Sequence, residues 1–176
     1  MRMFSPEEIK VVSQAVEIAE DVTANHFKIS TSQWKHVRYD ICTLAHLRTY
    51  EITEAAFAQI TRYSRNPGHM IRRGGHWDYF KICLQDHSIA AAVERDEGLQ
   101  LLPLSVYVVA HELVHVVRFC TFLQRFDADP LEREREEARV HNITQKALKG
   151  LSLSHLDYVL QVYQDHQIIE TFRDSP

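Results

Sequence analysis

Two histidines and a glutamate within Val108-Val109-Ala110-His111-Glu112-Leu113-Val114-His115-Val116-Val117 carry the clearest chemistry in this chain. On a helix, His111 and His115 lie four residues apart, so their imidazoles stand on one face, one above the other. That is the separation two nitrogen ligands need to grip one Zn²⁺. Glu112 is rotated about 100° around the axis. From there it reaches a water on the ion without being a ligand, which suits a general base.

The element that must position these residues is legible around them. From Leu101 to Phe126 apolar residues cover nearly the whole circumference, among them Leu104, Val106, Val109, Leu113, Val116 and Phe119. A helix that is apolar all round is buried. Buried histidines and carboxylates are costly unless they are hydrogen-bonded, paired or bound to metal. The competing reading makes His111 and His115 core histidines and sends Glu112 to an arginine such as Arg118. A membrane span is a poor alternative. The apolar run from Leu99 to Ala110 gives only about 12 residues before His111, too few for a bilayer, and a longer span puts His111, Glu112, His115 and Arg118 in lipid.

A zinc site needs a third protein ligand. Thr121 stands six residues after His115, where metzincins carry a third histidine, and Arg118 stands where they carry glycine. The remaining source is a carboxylate on the next helix, which Asp129 caps and Pro130 opens. If Val140, Ile143 and Ala147 face inward, Glu136 lies about 40° to one side of Val140 and Glu137 about 60° to the other. Glu137 is favoured, because His141 follows one turn later as a supporting partner or substrate contact; Glu136 is the alternative. Glu132 and Glu134 point further out and read as a solvated helix start.

With Glu137 about 22 residues past His115, the pattern His111-Glu112-x-x-His115…Glu137 resembles the gluzincin branch of the zincin metallopeptidases, in particular its short intracellular members. The resemblance covers Val106 to Leu148. One departure is His141, where such proteins often carry Asp or Asn four residues after the third ligand. The resemblance implies an α+β, mostly helical, zincin-like fold with a small antiparallel sheet before the motif helix. It also implies that the strand at Trp77 to Leu84 is the sheet edge, which pairs with extended peptide by β-augmentation.

The implied reaction is hydrolysis of a peptide bond in a peptide or protein substrate. Zn²⁺ would be held by His111, His115 and Glu137, with Glu112 as general base and His141, His155 and Tyr158 as candidate donors to the oxyanion. Two other readings remain. Glu112-x-x-His115 also fits half of a di-iron carboxylate bundle, but no second Glu-x-x-His occurs. A metal-free binding module with a relic motif could instead use the basic, aromatic stretch around Arg62, Tyr63, Arg65, His69, Arg72, Arg73, His76 and Trp77.

Composition bounds these readings. The 176 residues suit one domain, 45% hydrophobic and 25% charged, large enough to bury a core. A net charge of −4 makes nucleic acid an improbable main partner. Cys42, Cys83 and Cys120 form no disulfide framework and read as buried thiols. With no apolar signal-peptide core in Met1 to Glu8, a cytoplasmic location is expected.

The remaining elements follow from caps and periodicity. Ser5-Pro6-Glu7-Glu8 is a capping box opening a helix to about Asn25, with Ile9, Val12, Ala15, Val16 and Ala19 inward. A second helix is expected from Thr31 or Ser32 to about Tyr50, and a short third from Thr53, although Phe57 to Ser64 reads equally as a strand. Turns are expected at Arg65 to Gly68, Gly74-Gly75 and Gln85 to Ser88. Trp77 to Leu84 reads as a strand with Phe80, Ile82 and Leu84 on one side. Ile89 to Val93 reads as strand or helical turn, and Glu94 to Gly98 as loop. The motif helix is expected to run from Pro103 to near Phe126. The next should stop at Gly150, and a last capping box at Ser154 should open a helix to about Phe172.

Overall fold

The most apolar stretch becomes the axis around which the other elements pack. In the computed structural model, which describes residues 1–64, 78–164 and 172–174, a first helix α1 spans Pro6–Phe27, and a single turn α2 spans Thr31–Trp34. Strand β1 is Tyr39–Cys42, β2 is Ala58–Ser64 and β3 is Asp78–Leu84. Helices α3 (Asp86–Arg95), α4 (Leu101–Cys120), α5 (Pro130–Leu148) and α6 (Leu156–Val162) follow, and a short strand β4 (Phe172–Asp174) comes last. The chain is thus α+β and mostly helical.

Helix α4 carries the motif, and every residue from Pro103 to Phe119 is buried. It is the one described helix long and apolar enough to cross a membrane, yet 89% of its apolar window is covered by the protein itself. Its most extensive partner is α1. That helix buries Val12, Ala15, Ala19 and Thr23 on one stripe. The expected capping box holds it in place: Ser5 Oγ accepts the Glu8 N–H at 3.2 Å, and Glu8 accepts the Ser5 N–H at 2.8 Å.

The sheet packs Ala58, Ile60, Phe80, Ile82 and Leu84 into the same core. Its order is β1-β3-β2-β4. It is mixed, not antiparallel as expected: β3 runs antiparallel to β2 but parallel to β1, and β4 runs parallel to β2. Nor does it wholly precede the motif helix, because β4 lies after it in the chain. Strand β3 is interior, flanked by β1 and β2, so its backbone is paired on both sides. The expected edge-strand role for Trp77 to Leu84 is therefore overturned; Trp77 itself lies outside the described residues.

Several other expectations fail where long-range pairing overrides local periodicity, and others where the backbone turns at a helix end. The expected helix from Thr31 to Tyr50 ends at Trp34, because Tyr39 to Cys42 align with Phe80 to Cys83. Beyond this strand, the buried Asp86 carboxylate accepts the Leu44 N–H at 2.9 Å and the Phe4 N–H at 3.0 Å. No helix starts at Thr53, and Phe57 leads directly into β2. The expected turn at Gln85 to Ser88 is the start of α3, which covers Ile89 to Val93 and runs on to Arg95. Helix α4 ends at Cys120 rather than Phe126, because Phe122 turns left-handed at φ 57°. The capping box at Ser154 does not form: His155 precedes α6 at φ 64° with no side-chain cap, and α6 stops at Val162. The expected turns at Arg65 to Gly68 and Gly74-Gly75, and most of the basic stretch, lie outside the described residues. Arg62 and Tyr63 are described, and both have structural partners. Arg62 pairs with Asp127 at 3.0 Å and lies 4.4 Å from the centre of the Phe126 ring.

The sheet face turned away from α4 holds a polar cluster. Glu51 is fully buried and accepts hydrogen bonds from Lys81 Nζ at 2.7 Å, Tyr63 Oη at 2.7 Å and the Arg48 N–H at 2.7 Å. Burial alone raises the Glu51 pKa, but these donors outweigh it and the net pKa lies below the ordinary carboxylate value. On the same face burial pushes the Cys83 thiol up to about 12, and all three cysteines are free. A carboxyl whose folded pKa is depressed contributes stability above its unfolded pKa and loses it as pH falls through the folded value. Glu51→Ala should therefore cost roughly 2–3 kcal/mol in urea unfolding at neutral pH. The gap from wild type should shrink as pH falls through and below the usual carboxylate range.

Candidate metal centre

Helix α4 presents His111 and His115 on one face, their ring centroids 5.2 Å apart. Both are fully buried. Helix α5 crosses α4 and brings in Glu137. Its Oε1 lies 3.2 Å from His111 Nε2 and its Oε2 3.3 Å from His115 Nε2. One ligand atom from each residue falls within 4.8 Å of the others. Among the described residues no second group of His, Cys, Asp or Glu converges in this way. The elements that deliver Glu137 are those expected: Asp129 caps α5 by accepting the Glu132 N–H at 2.9 Å, and Pro130 opens it.

Glu136 has another task. Its carboxylate is held by the buried Arg118, with Oε2 2.5 Å from Nη2 and 3.2 Å from Nε, and Arg139 also reaches it. Arg118 is therefore committed to Glu136 rather than to Glu112. Burial lowers the Arg118 pKa from the usual guanidinium value, so a hydrogen-bonded carboxylate is what keeps the charge tolerable inside. The Arg118–Glu136 pair links α4 to α5 beside the candidate ligands, one residue from Glu137.

A residue not singled out from the sequence completes the arrangement. Gln124 is buried, and its Oε1 stands 2.9 Å from His115 Nδ1. The amide oxygen only accepts, so the neutral ring that satisfies it is the tautomer with its hydrogen on Nδ1 and its lone pair on Nε2. That lone pair then faces a Glu137 oxygen, which is also an acceptor. Either a proton on Nε2 or a metal ion between the two atoms resolves this contact. Two ligand atoms each 2.0–2.1 Å from a tetrahedral zinc ion are about 3.3 Å apart, matching the observed 3.2 and 3.3 Å. The donor set thus fits a divalent ion such as Zn²⁺. Nothing in the spacing pointed to Gln124, which lies beyond the helix end.

Glu112 is buried, at 1% exposure, within the same turn of α4. The other expected participants are placed differently. His141 Nε2 donates to the Gln164 carbonyl at 2.9 Å, which leaves Nδ1 to accept from Tyr107 Oη at 3.2 Å. It braces α5 against α4 and the end of α6. His155 Nδ1 meets the Gly98 carbonyl at 3.3 Å, and Tyr158 Oη donates to Asp96 at 3.1 Å. Both engage the turn preceding α4, whose first residue, Leu101, is ten residues or about 15 Å of helix before His111.

No family model, no curated protein and no solved structure matches this chain. The resemblance to metallopeptidases therefore rests on these residues and their geometry. Elemental analysis of purified protein should give about one zinc per chain, lost in His115→Ala while far-ultraviolet circular dichroism is retained. A metal-free wild type after incubation with zinc would return His111 and His115 to the role of core histidines.

Proposed function

We propose that this chain is a zinc metallopeptidase of the gluzincin type, acting on a peptide or protein substrate in the cytoplasm. The observation that carries the reading is the meeting of Glu137 from α5 with both imidazoles of the His111-Glu112-x-x-His115 turn. The three free cysteines agree with a reducing compartment. A di-iron centre finds less support, because among the described residues the converging group has a single carboxylate.

His111 Nε2, His115 Nε2 and Glu137 would hold the ion. When bound, zinc supplies a Lewis acid for the scissile carbonyl and acidifies water. Glu112 receives the proton as the water oxygen bonds to the carbonyl carbon. It then returns that proton to the amide nitrogen as the C–N bond breaks. Burial keeps the Glu112 carboxylate out of bulk water, which strengthens its electrostatic interactions within the site.

Glu112→Gln separates binding from chemistry. The variant should keep its zinc and lose hydrolysis of a mixed peptide library by 10²-fold or more. Full activity, or loss of the metal, would remove Glu112 from the assigned role. A zinc-loaded wild type with no hydrolysis of peptides or unfolded protein would overturn the peptidase reading.

A further inference from the structure

We propose that Arg118 and Gln124 form a clasp that holds two of the three candidate ligands in register, with Gln124 selecting the His115 tautomer that can bind metal. The inference rests on the metal reading above and identifies the positioning residues of that site.

The clasp is built at the end of α4. Phe122 adopts φ 57° and folds the chain back on the helix. The Leu123 and Gln124 N–H groups both reach the Arg118 carbonyl, at 2.9 and 3.3 Å. The Arg118 guanidinium returns the contact, donating from Nη2 to the Leu123 carbonyl at 3.2 Å. This hook aims the Gln124 side chain inward at His115, although Phe122 and Leu123 beside it are 94% and 58% exposed. The same guanidinium grips Glu136, the residue before Glu137. One arginine thus anchors both the turn that orients His115 and the helix that delivers Glu137.

Gln124 matters through its direction of hydrogen bonding. Oε1 lies toward the ring, and an amide oxygen accepts only from an Nδ1–H; the neutral ring of that tautomer points its Nε2 lone pair at the ligand cluster. The reversed amide would donate to Nδ1 and put the ring hydrogen on Nε2, where it would satisfy Glu137 directly and block a metal. Glutamate at this position keeps an acceptor and leucine keeps only the bulk. Partners of this kind typically change metal affinity by 10–100-fold.

The test measures zinc affinity by competition with a chromophoric chelator, beside ¹H–¹⁵N spectra of the histidine rings in zinc-loaded protein. Gln124→Leu should weaken zinc binding 10–100-fold and lose the slowly exchanging His115 Nδ1–H signal. Gln124→Glu should restore both to near wild type. Arg118→Lys keeps a charge without the fork and should weaken binding about tenfold. Thermal unfolding of the zinc-free variants controls for packing. Wild-type affinity in Gln124→Leu, or loss in Gln124→Glu as large as in Gln124→Leu, overturns the tautomer role. Wild-type affinity in Arg118→Lys removes Arg118 from the clasp. A wild type that binds no zinc overturns the metal reading itself, a result distinct from wild-type zinc binding in the variants.

Discussion

Burying a helix on every side denies its polar side chains water, so its charged and imidazole groups depend on partners elsewhere in the fold. Helix α4 is in that position from Pro103 to Phe119. Its apolar residues supply the core against α1 and the sheet. Its few polar residues dictate what surrounds its second half. Arg118 requires Glu136, His115 takes Gln124, and both histidines receive Glu137. Desolvation makes each unmet contact cost on the order of a few kcal/mol. The crossing of α4 and α5 is thereby specified chemically, beyond what apolar packing alone requires.

Adjacent glutamates show how narrow the specification is. Glu136 and Glu137 are neighbours on α5, separated by about 100° of helical rotation, and both are buried. One neutralises an arginine and the other faces two imidazoles. The ion pair sits one residue from the candidate ligand, so the rotation that satisfies Arg118 also aims Glu137. Two imidazoles and a carboxylate buried together are costly unless a proton or a cation is shared between them. The Arg118–Glu136 pair and the core behind it supply the rigidity that such a site needs before it is filled.

The sheet contributes at a distance. Its inner face backs α4 through Ile60, Phe80 and Ile82, and Phe80 stacks on Phe119, which itself stacks with His115 at 6.0 Å between centroids. Its outer face is closed by the segment carrying Glu51, whose hydrogen bonds to Lys81 and Tyr63 fasten that segment to β2 and β3. Side chains on opposite faces of β3 thus serve the core and the covering loop, as expected for an interior strand.

Local signals in the sequence determined the elements that depend on near neighbours. The Ser5 box, the Asp129–Pro130 start of α5 and the apolar run of α4 need only residues within a turn or two. The same holds for the His111-Glu112-x-x-His115 face. Helical angles, an assumed inward face and the nearness of His141 favour Glu137 over Glu136; the structure directs Glu137 to the histidines but pairs His141 with Tyr107 and Gln164 instead. Tertiary structure decided what depends on distant partners. Tyr39 to Cys42 became a strand because β3 lay beside it, and β3 became interior because β1 paired with its other edge. Leu44 was fixed by Asp86 across 42 positions. Gln124 gained its role only when the left-handed turn at Phe122 folded it back onto His115. Periodicity and caps report the local free energy of a segment. Strand neighbours and hydrogen bonds across the fold arise from contacts that exist only once the chain has closed on itself.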